Sequence, residues 1–331
     1  MQQKRLADLD QLFQKYNQIE SPGVALMIIE DQKIVFRKGY GLSNLNKNTP
    51  ILATSNFNLA SLSKIFTALA IAVLENEKRL NVTDNLNEYF SDISEKYSDI
   101  KIAHLIHHIS GLPNYAKRHW EQQEVITNKQ IIAYLKNDEL NFVPGEQFEY
   151  NDTGYILLAA VIEKITAMSY SDFLTTTLLL PFGMKNTVVN IQNSVEVVER
   201  VLGYSEWPFF ELNDVRSYDL VYGDGAIYSS LDDFYHFIIE IDNSKFLSSE
   251  IKNKLFSCGS NNNGKPIPYG YGWFIGSLKQ LTTRYHSGEW IGFRNHIVNF
   301  PEKKLWIVVL ANSSGTRADE IAIRVANELL F

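Results

Sequence analysis

Short runs of β-type sequence lie at both ends of this 331-residue chain, and helix-period apolar patterns lie between them. Near the start, residues 24–29 and 33–37 predict the two strands of a hairpin. Near the end, further strands are predicted at residues 271–275, 284–286, 296–300 and 305–310. Strands with one polar face cannot be left half-paired, so we expect the two ends of the chain to form one antiparallel sheet.

Apolar stripes at helical spacing predict the helices. They lie at residues 6–16, 61–79, 128–135 and 153–168, and from about residue 316 onward. The predicted fold class is therefore α+β, an antiparallel sheet flanked by terminal helices with an inserted helical lobe. We expect a single domain over residues 1–331. Its sheet lobe would comprise about residues 1–60 and 220–331, and its helical lobe about residues 61–219.

Composition excludes several function classes. The chain has 45% hydrophobic residues, enough for a sizeable core, and its 31 Lys and Arg against 38 Asp and Glu give a formal net charge of −7. A nucleic-acid partner is therefore not expected.

The apolar run at residues 65–74 is far shorter than the roughly 20 residues that span a bilayer. The polar N-terminus does not resemble a signal peptide, and the compartment and oligomeric state stay open.

The first candidate for chemistry is a Ser-x-x-Lys motif formed by Ser61 and Lys64 at the start of a strongly apolar helix. This spacing puts both side chains on one helix face, where the amine can reach the hydroxyl. If the ammonium is partly buried beside another cation or an apolar wall, its pKa falls and it can activate the serine. The spacing recurs at residues 98–101 and 249–252 in surface-like sequence. A helix-cap role for Ser61 is the alternative.

The second candidate is Tyr150 with Asp152, just before the helix predicted from residue 153. A phenol on such a loop can move a proton, and the carboxylate can orient a substrate amide or Lys64. The alternative is that Tyr150 is packing and Asp152 caps the helix.

The third candidate is a His-Ser-Gly-Glu segment at the end of a predicted strand, comprising His286, Ser287, Gly288 and Glu289. A glycine beside a polar pair lets a substrate backbone approach closely, and an N–H just beyond it can donate to an oxyanion. The alternative is that His286 is an ordinary hydrogen-bonded strand histidine.

Taken together and in this order, the three motifs resemble those of the serine β-lactamase and penicillin-binding protein superfamily. The resemblance is to its branch of class C β-lactamases, D-Ala-D-Ala carboxypeptidases and esterases, and it covers nearly the whole chain. Lesser matches lie at residues 104–113, 181–187, 223–229 and 269–273. The resemblance implies a β-lactamase-like fold.

The resemblance also implies roles for the candidate residues. Ser61 would be the acylated nucleophile and Lys64 its base or proton relay. Tyr150 would carry a proton to the leaving group and help to activate the deacylating water. His286 would support that network and bind the polar end of the substrate. The backbone N–H groups of Ser61 and Glu289 would form the oxyanion hole.

Two departures from the branch narrow the expected function. Asp152 stands where Asn is common, and His286 stands where the β-lactamases have Lys. Both disfavour a potent β-lactamase. We expect a serine hydrolase that forms an acyl-enzyme on Ser61, a carboxylesterase or a D-Ala-D-Ala type peptidase acting on a small-molecule or peptide substrate. A weak class C-like β-lactamase and a non-catalytic penicillin- or ligand-binding member are the alternatives.

No cofactor or metal is expected. Residues 259–265 spell the start of a phosphate-binding loop, but Pro266 replaces its Ser or Thr, and no His-Glu-x-x-His pattern occurs. The loops at residues 114–124 and 201–222 are expected to contribute an apolar pocket wall, with packing within the loops as the alternative. Their aromatic residues are Trp120, Trp207, Phe209 and Phe210.

Overall fold

A computed structural model describes most of the chain. The described residues are 9–11, 13–17, 20–90, 93–115, 126–135, 137–191, 194–206, 209–214, 219–243 and 247–331. The helices of eight residues or more among them are α1 (Ser63–Asn76), α2 (Asn128–Leu135), α3 (Asp152–Thr166), α4 (Leu231–Asn243) and α5 (Ala318–Leu330). Shorter α-helices are Leu86–Tyr89, Ile102–Ile106, Tyr170–Leu174 and Ser249–Leu255.

One six-stranded sheet forms the centre of the fold. Its strands are β1 (Val24–Glu30), β2 (Lys33–Tyr40), β3 (Phe274–Leu278), β4 (Leu281–Trp290), β5 (Phe293–Phe300) and β6 (Leu305–Ala311). They are arranged in the order β3-β4-β5-β6-β1-β2, and every neighbouring pair is antiparallel. Shorter strands lie outside this sheet, at Leu42–Asn44, Thr49–Pro50, Phe57–Asn58, Ile126–Thr127, Val188–Val189, Tyr204–Ser205, Glu211–Leu212, Asp219–Leu220, Ile227–Ser229, Gly259–Ser260 and Pro266–Ile267.

The pairing of β1 with β6 joins the two ends of the chain, in register from Val24 opposite Ala311 to Glu30 opposite Leu305. This confirms the expected single antiparallel sheet. The strand predicted from residue 271 begins instead at Phe274. Gly272 adopts a φ of +79° there, a left-handed conformation that turns the chain before the strand begins.

Strand β1 is apolar on both faces because both faces are covered. Ala25, Met27 and Ile29 pack into the larger core with α1. Leu26 and its neighbours on the other face pack against α5 and the N-terminal segment near Phe13. The structure therefore confirms the α+β fold class with helices on the sheet. Of the helix predicted at residues 6–16, residues 6–8 and 12 lie outside the described residues, while 9–11 and 13 are helical and Gln14–Tyr16 form a 3-10 helix.

Helix α1 positions the candidate site. It is apolar on all sides, and its residues from Ser63 to Leu74 are all buried, as expected of a helix inside a large core. It packs against α3 and against the short helix Ser249–Leu255. Its N-terminal end follows a single 3-10 turn, Ala60–Leu62, which packs against β4. The first and third motifs therefore meet at this end of α1.

The division into two lobes of one domain stays a prediction. Among the described residues, no helix combines the length and the apolar character that a membrane span requires.

Candidate active site

Ser61 lies in the 3-10 turn that leads into α1. The residue before it, Ala60, has a φ of +50°, a conformation that non-glycine residues rarely adopt. The side chain of Asn58 holds this turn, because its Oδ1 accepts from the Ala60 N–H at 2.9 Å. A backbone conformation of this kind costs energy, and it is kept only where surrounding contacts such as this hydrogen bond hold it. The turn leaves Ser61 partly exposed on the wall of a cavity.

Lys64 is fully buried one turn along. Its Nζ donates to Ser61 Oγ at 3.0 Å, to Asp152 Oδ1 at 2.7 Å and to the backbone carbonyl of Asp224 at 3.2 Å. An ammonium group has three hydrogens, so each of them has an acceptor.

The expected fall in the pKa of Lys64 does not occur. Burial lowers the pKa of the ammonium, but the negative charge of Asp152 and smaller contributions from Tyr150 and Asp224 outweigh it, so the pKa lies above its ordinary value. The groups next to Lys64 are acids rather than a second cation, and acids favour the charged form. Lys64 is therefore an ammonium ion in this structure.

Asp152 is the partner of Lys64 and does not cap the helix. Its Oδ2 accepts a second hydrogen bond from Asn114 Nδ2 at 3.1 Å. Burial raises the pKa of its carboxyl, but Lys64 and Asn114 hold that pKa below its ordinary value. The N-cap of α3 is Asn151, whose side chain accepts from the Gly154 N–H.

Tyr150 lies next to this pair, with Lys64 Nζ 5.0 Å from the centroid of its ring. Its hydroxyl is buried, and Ser61 and Lys64 are the polar side chains that face it. Burial raises the pKa of the phenol, although Lys64 lowers it in part, so Tyr150 is protonated at neutral pH. Its ring packs on His108 at a centroid distance of 4.4 Å, and His108 Nδ1 accepts from the Asn151 N–H. The sequence analysis did not single out His108 and so missed this support of the tyrosine loop.

His286 lies behind Tyr150, with the ring centroids 6.0 Å apart. Its Nδ1 donates to the carbonyl of Ser287 at 2.6 Å, which leaves Nε2 to accept from the hydroxyl of Tyr269 at 3.0 Å. Burial and Lys64 lower its pKa to about 3, so it is neutral. Both ring nitrogens are occupied by protein groups, and His286 is buried outside the set of cavity-lining residues.

The other residues of the third motif separate along β4. Ser287 faces the opposite side of the sheet, where its Oγ is 2.8 Å from His296 Nδ1, and it does not line the cavity beside Ser61. Successive side chains of a strand point to opposite faces. At Gly288, a Cβ would lie 2.1 Å from the carbonyl oxygen of Leu59. The glycine thus admits the protein's own Ser61 turn, where the sequence suggested a substrate backbone.

The cavity beside Ser61 has a volume of about 240 Å³. Asp152, Asp224 and Glu289 contribute its carboxylates, and none of the described residues that line it is Lys, Arg or His. The remaining lining residues are Asn58, Ala60, Ser61, Tyr115, Asn190, Val221, Gly225, Ala226, Tyr228 and Trp290.

The aromatic wall differs from the expected one. Tyr115, Tyr228 and Trp290 line the cavity. Phe209 and Phe210 do not, and they are 76% and 40% exposed. Trp120 and Trp207 lie outside the described residues.

Asp224 is the cavity residue that sequence reasoning missed. Its Oδ2 accepts from the hydroxyl of Tyr115 at 3.0 Å, and burial raises its pKa to about 6, with Lys64 opposing the rise. The sequence feature that could have indicated Asp224 is its position between two glycines, just before the short strand Ile227–Ser229. Gly223 has a φ of +101°, a turn that favours glycine.

Within the described part of the chain, no three His, Cys, Asp or Glu side chains are grouped so as to hold a metal ion.

Comparison with known proteins extends these observations. The family model described as Beta-lactamase matches residues 9–330. Penicillin-binding protein 4* of Bacillus subtilis (strain 168) is 31% identical over the whole of this chain and 77% of its own length. Protein flp of Staphylococcus aureus (strain MW2) is 30% identical over 88% of this chain, but the match spans only 59% of its length.

Solved structures match as well. The octameric penicillin-binding protein homologue from Pyrococcus abyssi has a TM-score of 0.86 at 27% identity, covering 98% of this chain and 77% of that one. The D-amino acid amidase from Ochrobactrum anthropi SV3, complexed with L-phenylalanine amide, has a TM-score of 0.79 at 19% identity over 97% of this chain and 98% of that one. At that identity the second match shows the fold alone.

Proposed function

This chain belongs to the beta-lactamase family, and we propose that it is a serine hydrolase that forms an acyl-enzyme on Ser61. We propose further that it is a carboxylesterase or a D-amino-acid peptidase of the D-Ala-D-Ala type. The observation that carries the proposal is the 3.0 Å contact between Ser61 Oγ and Lys64 Nζ, with Asp152 Oδ1 2.7 Å from the same nitrogen. A nucleophile, a proton carrier and a carboxylate that can accept a proton are thus joined by hydrogen bonds beside a cavity.

In the acylation step, Ser61 Oγ attacks the carbonyl carbon of the substrate. The proton of Ser61 passes to Lys64 Nζ while Lys64 passes one of its own protons to Asp152 Oδ1. Asp152 is then a neutral acid and Lys64 is still an ammonium ion, so no neutral lysine has to form among acids. The backbone N–H groups of Ser61 and Glu289 are the proposed donors to the oxyanion.

When the tetrahedral intermediate collapses, the hydroxyl of Tyr150 gives its proton to the leaving oxygen or nitrogen. Lys64 returns a proton to Tyr150 and recovers one from Asp152, so the net transfer is from Ser61 to the leaving group. Water then attacks the acyl carbonyl, and its proton restores the hydroxyl of Ser61. His286 acts in this scheme as a positioning residue behind Tyr150.

The test compares the wild type with Ser61→Ala on p-nitrophenyl butyrate and on a peptide ending in D-Ala-D-Ala. We expect hydrolysis of at least one substrate, reduced at least about 10³-fold in Ser61→Ala. Intact-protein mass after rapid quenching should show the acyl group on the wild type alone. No turnover above the variant and no adduct would refute the proposal.

A second candidate is a penicillin-binding member with little or no turnover. The match to a penicillin-binding protein favours it, as does the ammonium state of Lys64, which leaves Ser61 without a neutral amine as its base. Intact mass after incubation with a penicillin distinguishes the cases. A persistent adduct on the wild type alone would support this candidate, whereas hydrolysis of the drug would indicate a weak class C-like β-lactamase.

A further inference from the structure

The carboxylates that line the cavity beside Ser61 differ in whether a cation is paired with them. Asp152 is paired with the buried Lys64 at 2.7 Å. Glu289 is paired with Arg294 at 3.6 Å. Of the three carboxylates that line the cavity among the described residues, two therefore each have a cation of their own.

Asp224 has no such partner among the described residues. Its Oδ2 accepts a hydrogen bond from the neutral hydroxyl of Tyr115, and its Oδ1 is buried without a hydrogen-bond partner. Lys64 touches it only through the backbone carbonyl, at 3.2 Å. The side chain is only 8% exposed, and a buried carboxylate without a partner is costly.

The other nearby cation is already engaged. Arg200 lies behind the cavity-lining Tyr228, with its Nη2 3.5 Å from that hydroxyl, and it is paired with Asp214 at 2.7 Å. The described ionic groups around the cavity therefore leave one negative charge, that of Asp224, without a counter-ion.

The cavity also has room beside Asp224. A Cβ placed on the adjacent Gly225 would meet no atom within 4 Å. A small group can therefore approach this part of the wall, which belongs to the same cavity as Ser61.

We propose that the cavity selects acyl groups that carry a protonated amine, and that Asp224 is the residue that recognises the amine. The proposal rests on the proposed acyl-enzyme chemistry and specifies its substrate class as esters or amides of amino acids with a free amino group. The ammonium supplies the missing counter-ion at the wall of the cavity that Asp224 lines. An acyl group with a carboxylate at that position meets three acids and no free cation among the described residues.

The experiment uses two esters of nearly equal shape. In p-nitrophenyl D-alaninate an ammonium group stands where p-nitrophenyl isobutyrate has a methyl group, so the two differ mainly in charge. The measured quantity is the ratio of their kcat/KM values, each first divided by the rate of spontaneous hydrolysis. A p-nitrophenyl hemisuccinate provides the anionic comparison.

We expect the wild type to favour the D-alaninate by about tenfold or more and to disfavour the hemisuccinate. In Asp224→Asn the D-alaninate to isobutyrate ratio should fall about tenfold, and in Asp224→Glu it should fall less. Glu289→Gln is the matched control, because it removes a carboxylate of the same cavity that already has a cation. Its ratio should change less than about threefold.

The proposal would be overturned if the D-alaninate to isobutyrate ratio were the same in the wild type and in Asp224→Asn. It would also be overturned if that ratio fell as much in Glu289→Gln as in Asp224→Asn. Either result leaves the acyl-enzyme chemistry intact, since the isobutyrate still reports it. If neither ester is hydrolysed above the Ser61→Ala background, the proposed function itself fails. Because a ratio is compared within each variant, partial loss of folded protein does not mimic the effect.

Discussion

The chain contains the same Ser-x-x-Lys spacing at the start of α1 and in the short helix Ser249–Leu255, and the two sites differ sharply. At the first, Lys64 is fully buried and donates to Ser61 and Asp152. At the second, Ser249 is exposed, and the Nζ of Lys252 lies at the surface, 3.4 Å from the backbone carbonyl of Asp242.

Spacing places the two side chains on one helix face in both cases. What makes the first pair a candidate catalytic pair is its tertiary surroundings. Asp152 and the carbonyl of Asp224 come from positions 88 and 160 residues further along the chain, and the strand containing Gly288 packs against the Ser61 turn. A motif of two residues therefore needs distant segments before it can perform chemistry.

The largest difference between the two sites is expected on removing the lysine. Lys64→Met should lower esterase activity at least about 10³-fold. It should also lower the free energy of unfolding by about 3–5 kcal/mol, because Asp152 is left as a buried charge without its partner. Lys252→Met should change stability by less than about 0.5 kcal/mol and leave the activity unchanged. Urea unfolding and ester hydrolysis measure the two effects.

The double variant Lys64→Met/Asp152→Asn separates the two effects. It should recover part of the lost stability, because the uncompensated charge is gone, while activity stays lost. If Lys64→Met and Lys252→Met lowered the free energy of unfolding equally, the buried pair of Lys64 and Asp152 would contribute no more to stability than the surface lysine.

A smaller effect is expected from the strand behind the first pair. In Gly288→Ala the new methyl group meets the Leu59 carbonyl at 2.1 Å, so the Ser61 turn must shift. We expect kcat to fall about 10–100-fold, since displacement of a nucleophile by about 1 Å is costly. Gly276→Ala on β3 is the control, because its nearest atom is the Thr283 hydroxyl at 3.2 Å. Equal kcat values in the two variants would contradict a positioning role for Gly288.

The smallest effect concerns pH. The pKa of Asp224 is raised from 3.8 to about 6, so the folded protein binds this proton more tightly than the unfolded chain. Its contribution to the free energy of unfolding therefore falls as pH rises from about 4, through the folded pKa, to about 7. The groups facing it are Lys64, Asp152 and Tyr115. Asp152 has a lowered pKa, so it loses its stabilising contribution only at lower pH.

The measurement compares unfolding of the wild type and Asp224→Asn at pH 4, 5, 6 and 7. Relative to the wild type, the variant should gain about 2 kcal/mol of stability between pH 4 and 6, with only a small further gain between pH 6 and 7. Subtracting the two curves removes the other groups that titrate in this range. A flat difference for Asp224→Asn would place its pKa near the ordinary value.

Much of the fold was predictable because its elements follow local periodicity. The hairpin near residue 30, the last strand and the helix from Asn128 to Leu135 lie where the sequence placed them. The strand predicted at residue 271 was wrong because a glycine turn interrupts its apolar pattern. The site was predictable in part, since the contact of Ser61 with Lys64 follows from helix geometry.

Other features of the site could not be predicted from local sequence patterns, because they depend on contacts between distant parts of the chain. The cap of α3 is Asn151 rather than Asp152, a difference of one residue that backbone geometry alone decides. Ser287 faces away from the cavity. The sequence could not show this, because side chains alternate along a strand and the sequence did not reveal which face of the strand points to the cavity. Asp224 joins the site only because its turn packs against the buried Lys64.

The sequence by itself determined the order of strands and helices, the sheet joining both chain ends and the proximity of Ser61 to Lys64. Each depends on spacing along the chain, through helical and strand periodicity. Only the tertiary structure decided that Lys64 is an ammonium ion, that His286 is engaged behind Tyr150 and that Asp224 lines the cavity without a cation of its own among the described residues. Protonation and pairing depend on the charges within a few ångströms, and here those charges come from distant parts of the chain.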